Sequence, residues 1–169
     1  MWLPGEHDLK SGFTLMEMLL VMAIISIISV LGLTTVTTGM GKARDARRKS
    51  DFSQIKTSLA MYYADYKQYP TNGANGEIKG CGASGTSDCV WDEAWCAGGA
   101  DCESGKVYMK KLPRDPKNTP PYEYKYARVS PDQFNLRVTL EMTADPVVAS
   151  SWSRCSLTPG AGVFVACQD

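Results

Sequence analysis

Apolar positions fall into three patterns along the chain. Residues 18–33 are apolar except for Ser26 and Ser29 and the small Gly32. Adding residues 13–17 gives a segment of 21 residues, about 31 Å long as a helix and long enough to span a bilayer core. From Phe52 the pattern changes: Phe52, Ile55, Leu59, Tyr62 and Tyr66 recur at spacings of 3, 4, 3 and 4. That spacing predicts one apolar helix stripe packed on a core. Further on the period shortens to two. Phe134, Leu136, Val138, Leu140 and Met142 alternate with polar residues, as do Tyr122, Tyr124 and Tyr126. Two half-buried strands are predicted, joined by a hairpin at Ser130-Pro131-Asp132-Gln133, with a third strand over 162–166.

Proline sharpens this division. No proline occurs between Pro4 and Pro70, and eight occur from Pro70 through Pro159. Such a run permits one very long helix ending at Tyr69-Pro70. The remainder, rich in glycine and proline and holding all six cysteines, reads as a loop-rich β domain. An antiparallel meander laid on the 52–66 stripe would bury both surfaces.

The head of the apolar segment carries the most specific chemistry. Glu17 stands at the start of an apolar span, where an unpaired charge is costly in lipid. A free α-amino group at Phe13 would supply a partner, within the subunit or on a neighbour. Being close to the helix start, Glu17 also favours the positive end of the helix dipole. A fully buried soluble helix would need a larger domain around it. A conventional secretory signal would have to be cut at Gly39-Met40-Gly41, a poor site.

The stretch Gly12-Phe13-Thr14-Leu15-Met16-Glu17-Met18-Leu19-Leu20-Val21 resembles the cleavage and methylation signature of the type IV pilin and type II secretion pseudopilin superfamily. The resemblance implies cleavage between Gly12 and Phe13 by a prepilin peptidase, N-methylation of Phe13, and docking of Glu17 on a neighbouring subunit's N-terminus. It further implies an α+β, pilin-like fold, with a long N-terminal helix packed on a small antiparallel sheet with disulfide-stapled loops. The expected divisions are a leader over 1–12, a transmembrane and assembly helix over 13–34, its amphipathic continuation over 35–69, and a disulfide-containing β domain over 70–169. The run 43–51 with Tyr62-Tyr63-Ala64-Asp65 and Tyr69-Pro70 resembles major pseudopilins, as does Leu112-Pro113-Arg114-Asp115-Pro116 with Pro121-Tyr122. Cys155 and Cys167 resemble the pair that closes the C-terminal loop of many pilins.

The chain departs from the family in three places. The leader carries Glu6 and Asp8 against Lys10, whereas family leaders are usually basic. Thr34 stands where many members have proline, within a run of threonines and glycines that are poor helix formers, so the helix is expected to loosen there in a filament. Major pseudopilins often carry calcium in a late acidic, glycine-rich loop. After Met142 the acidic residues here are only Asp145 and Asp169, so neither calcium nor any other cofactor is expected.

Cys81, Cys89, Cys96 and Cys102 lie in a glycine-rich insertion with 7, 6 and 5 residues between them. They lack the close Cys-x₂₋₄-Cys pairs of a zinc site, so two further disulfides of open connectivity are expected. Lys42, Arg44, Arg47, Arg48 and Lys49 form a basic collar after the apolar span. The positive-inside rule would keep that side in the cytoplasm, whereas the cysteines place it in an oxidising exterior. The processing motif favours the exterior. The collar reads as a solvated, filament-lining face rather than a contact for nucleic acid or lipid.

Lysine plus arginine balance aspartate plus glutamate at 18 each, and His7 is the only histidine. Processing would remove it, which excludes Ser-His and Cys-His nucleophile systems and histidine-ligated zinc. The resemblance implies a structural role, and no catalytic or metal-ligating residues are expected. The subunit would be anchored in the cytoplasmic membrane before assembly, with its globule outside the cytoplasm, and would end in an extracellular or periplasmic filament. Its partners would be copies of itself, minor pilins, the peptidase and an inner-membrane assembly platform. The alternative is a membrane-anchored binding or adhesion module, a minor filament component presenting Trp91 and Trp95.

Overall fold

A computed structural model of the chain describes residues 12–99, 102–158 and 160–168, with backbone alone over 30–38. The leader expected over 1–12 thus lies, up to residue 11, outside the described residues. Packing divides the chain into two compact units, Met1–Met40 and Gly41–Asp169. Helix α1 runs Leu15–Tyr66, 52 residues, and its helical backbone includes the threonine- and glycine-rich stretch.

In the second unit the α1 stripe does what its period predicts. Phe52, Ile55, Leu59 and Tyr62 are buried. Tyr66, expected on the same stripe, is 41% exposed, because it stacks on the outer side of Tyr62 with ring centroids 4.4 Å apart. The helix stops at Tyr66 rather than at residue 69. Lys67 turns to a positive φ of 55°, its N–H closes the last turn on the Tyr63 carbonyl, and the Tyr69 N–H is given to the Pro131 carbonyl instead of a helical one.

The main sheet comprises β6 (Lys125–Ser130), β7 (Gln133–Thr139) and β8 (Val163–Cys167), in that spatial order and antiparallel throughout. Phe134, Leu136, Val138 and Phe164 are buried, and Phe52 meets Tyr124 and Phe164 at 5.2 and 5.8 Å between ring centres. The predicted hairpin is present, pairing Ser130 with Gln133. Two expectations shift. The tyrosine-alternating strand begins at Lys125, not Tyr122, because Tyr122 is committed to a bridge with Thr119 and its ring to Arg48 and Lys117. The sheet is also not a simple meander: α2 (Pro146–Arg154) intervenes between β7 and β8. Asp145 caps it, accepting the Val147 N–H, and Val148, Ser151 and Trp152 are buried.

The glycine-rich insertion forms two small ladders rather than bare loop. One is β1 (Thr71–Asn72), β2 (Ile78–Cys81) and β3 (Ser87–Asp88). The other pairs β4 (Trp95–Ala97) with β5 (Lys106–Met109). They are pinned to α1 through Trp95, fully buried, which stacks on Tyr62 and donates from Nε1 to the Gly80 carbonyl at 3.1 Å. A Cβ at Gly80 would sit 3.1 Å from that indole nitrogen and 3.3 Å from Pro70 and Tyr62, so any larger residue there would have to push these rings aside.

Candidate functional site

Two features of α1 stand out: its head and its anchorage. At the head, Thr14 immediately precedes the helix and takes the capping position. Its Oγ1 accepts the Glu17 N–H at 3.3 Å, and its carbonyl accepts the Met18 N–H at 3.3 Å. Glu17 is thereby at the third helical position, where a carboxylate suits the unsatisfied N–H groups and the positive dipole end. Thr14-x-x-Glu17 is a capping-box spacing, the signal by which Thr14 can be found in the sequence. Gly12 and Phe13 precede the helix and are exposed, Phe13 by 75%. Phe13 is in peptide linkage to Gly12, so an amine for Glu17 to pair with arises only on cleavage.

Beyond the head, the side chains of residues 15–29 are all exposed, most of them large and apolar. Ser26 and Ser29 return their hydroxyls to the carbonyls of Met22 and Ile25, each at 2.7 Å. Their polar atoms are satisfied within the helix, as an apolar surrounding requires. Among the described residues no helix is long and apolar enough to cross a membrane. The apolar run in the sequence continues to Leu33, beyond the last described side chain of that run at Ser29.

The anchorage corrects the expectation of a solvated basic collar at Arg44, Arg48 and Lys49, whereas Lys42 and Arg47 stay exposed. Arg48 is fully buried. Its Nε and Nη2 donate to the two oxygens of Asp115 at 2.7 and 3.0 Å. Nη1 donates to Asp45 at 2.7 Å and to Glu141 at 3.0 Å. Arg44 makes its own two-pronged contact with Glu141 at 2.6 and 2.7 Å, and Lys117 reaches Glu141 at 2.8 Å. One turn on, Lys49 pairs with Asp145 at 2.5 Å, and buried Asp51 accepts the Tyr124 hydroxyl at 2.7 Å. Hydrogen bonding from Arg44, with Lys117 and Arg48, holds the Glu141 carboxyl far below the ordinary glutamate range against the opposing effect of burial. Burial dominates at Asp51 and raises it. At Arg48 the three carboxylates outweigh desolvation, so the guanidinium stays charged.

The cysteines pair as Cys81–Cys89, Cys96–Cys102 and Cys155–Cys167, with Cα separations of 5.2, 5.3 and 5.7 Å. All six sulfurs are consumed in this way, and none is left for a zinc site. Of the two tryptophans considered as an adhesive pair, Trp95 is buried in the core and Trp91 packs edge-on against Tyr124. They do not form an exposed contact surface.

Comparison with known proteins agrees with this arrangement. Residues 9–33 match the prokaryotic N-terminal methylation motif. The chain is 30% identical over 125 residues to the type II secretion system core protein G of Aeromonas hydrophila, an alignment covering 74% of this chain and 76% of that protein. No solved structure matches. With the methylation motif at the head of α1 and a similarity that reaches well beyond it, the chain belongs to the type IV pilin and type II secretion pseudopilin superfamily, whose members are structural filament subunits and not enzymes.

Proposed function

We propose that this chain is a pseudopilin of a type II secretion filament. In this reading prepilin peptidase cuts between Gly12 and Phe13 and the new Phe13 amine is methylated. Residues 13–34 hold the subunit in the cytoplasmic membrane as a single pass until assembly. The helix then packs among copies of itself and minor pilins at an inner-membrane platform, with Glu17 set against a neighbour's Phe13 amine. Residues 35–69 continue the helix into the globule formed by residues 70–169.

The observation that carries the reading is the contrast along one helix. Its first half presents bare apolar side chains with their hydroxyls internally satisfied, and its second half is closed into a complete core. Bare apolar surface of that extent on a folded protein calls for lipid or a protein partner. The relative's secretion role favours a pseudopilus over a surface or DNA-uptake pilus, and the burial of Trp95 weighs against the adhesive alternative.

Two measurements test it. Mass spectrometry of assembled material should find a mature terminus at methylated Phe13; an intact Met1 there would refute processing. Glu17→Ala should leave membrane insertion unchanged while abolishing filaments on electron micrographs, and normal filaments from the variant would remove Glu17 from assembly.

A further inference from the structure

The clefts of the globule differ in whether their polar groups already have partners. In the cleft beside Trp91, Glu77, Asp115 and Glu123 are engaged by the Asn75 N–H, Arg48 and Lys125. A larger cleft, about 600 Å³, opens between the β6–β7 hairpin, the end of α2 and the Cys155–Cys167 disulfide. Here the side chains of Gln133, Asn135 and Gln168 have no hydrogen-bond partner among the described residues. Arg154 spends only its Nε, on the Ser150 carbonyl at 3.4 Å. Asn135 is only 6% exposed. Since every fully buried side-chain nitrogen and oxygen among the described residues has a partner, its amide opens into the cleft. Amides that both donate and accept, with a free guanidinium edge, suit a polypeptide bearing a carboxylate. On the hairpin wall, Asp132 receives the Tyr63 hydroxyl on one oxygen, and its other oxygen is open to a cation.

The globule carries a surface of the matching chemistry. Residues 90–93 form a turn closed by the Glu93 N–H on the Val90 carbonyl, and the turn is pinned to Leu112 through both backbone groups of that residue. Val90 is more than half exposed, and the exposed Glu93 carboxylate has no partner among the described residues. Lys111 lies beside it, on Asp92. Turn and cleft lie at opposite ends of the β6–β7 pair. Trp91 packs on Tyr124, just before β6, whereas the hairpin at Ser130 and Gln133 edges the cleft. They also lie on opposite flanks: the insertion borders β6 through Gly76 and Tyr126, and α2 borders β8 through Ser151 and Val165. A turn so placed does not serve its own cleft; it serves a head-to-tail contact between copies, the kind that builds open filaments. We propose that the 90–93 turn of one copy enters the Asn135 cleft of the next, with Glu93 on Arg154, Val90 against the exposed Val129, and Lys111 toward Asp132. The contact rests on the filament reading above and names one of its joints.

Charge reversal tests it. Glu93→Arg and Arg154→Glu, both at exposed positions, are expected to keep the wild-type Tm and each to cut the number of filaments on electron micrographs at least about tenfold. The double variant is expected to restore them. Single variants that assemble normally, or a double variant no better than either single, would overturn the pairing. Arg154→Glu that keeps its filaments but stops secretion would give the cleft to a secreted polypeptide instead. A second measurement does not depend on filaments. In ¹⁵N-labelled full chain in detergent micelles, the Asn135 side-chain amide signal is expected to shift as unlabelled wild-type chain is added, and not when unlabelled Glu93→Gln is added. Equal shifts from both, or none from either, would overturn the contact; wild-type chain that shows the shift but never forms filaments would remove the filament reading alone.

Discussion

Arg48, fully buried, ties α1 to the carboxylates of Asp45, Asp115 and Glu141 at once. Removing one partner of a buried ion pair costs about 3–5 kcal/mol, since the charge left behind keeps its desolvation penalty. Arg48→Ala is expected to reach that range in denaturant unfolding. Arg47→Ala, one position earlier, has a side chain 65% exposed and 3.9 Å from Asp51, and is expected to cost less than about 1 kcal/mol. Equal effects from the two would mean that burial of the cluster adds nothing to its contribution to stability. Nothing local distinguishes these neighbours. Both look like surface arginines in a basic run, and the Asp115 and Glu141 that separate them are 67 and 93 residues away. A reading based on i and i+4 neighbours reaches only the Asp45 pairing, at i and i+3.

At the level of elements, what could be read depended on length. The 52–66 stripe recurs through enough turns to declare its period, and β7 alternates cleanly through Phe134, Leu136 and Val138. Helix α2 is nine residues long, too short to be stable alone, begins with a proline and holds three serines, so its period does not stand out in the sequence. Its signals were nonetheless present: Asp145 before Pro146, then Val148 and Trp152 four apart on one face. Asp145 both caps α2 and pairs with Lys49 of α1. Asp145→Ala is therefore expected to cost about 1–2 kcal/mol, more than a surface cap alone, with cap loss near the lower figure. Asp145→Asn keeps a capping side chain and should recover most of the cap but not the ion pair. Urea midpoints of the two variants separate the contributions.

For the molecule as a whole, the carboxylates set the response to acid. Glu141 and Asp145 are held below their ordinary values, by Arg44 and by Lys49 respectively. Groups of this kind add stability above their unfolded pKa and lose it as pH falls. Asp51, raised by burial, acts in the opposite sense and only partly offsets them. Tm is expected to hold through neutral pH and to fall as pH drops below about 4.5, the ordinary glutamate value; Glu141→Gln should flatten that fall. A profile unchanged down to about pH 3 would contradict the ionic account. The disulfides bear on a different property. Each closes a short stretch of chain, with separations of 8, 6 and 12 residues, and none links α1 to the sheet. Tension applied along the helix of a subunit would therefore reach the sheet through the backbone that follows Tyr66 and through noncovalent contacts, among them the Arg48 cluster, the Lys49 pair, the Asp65 bonds to Lys106 and Tyr108, and the aromatic face from Phe52 to Tyr62. Under load the helix and sheet can part and rejoin with every cysteine still paired, so the joint is reversible, while each staple protects only its own loop from being drawn out.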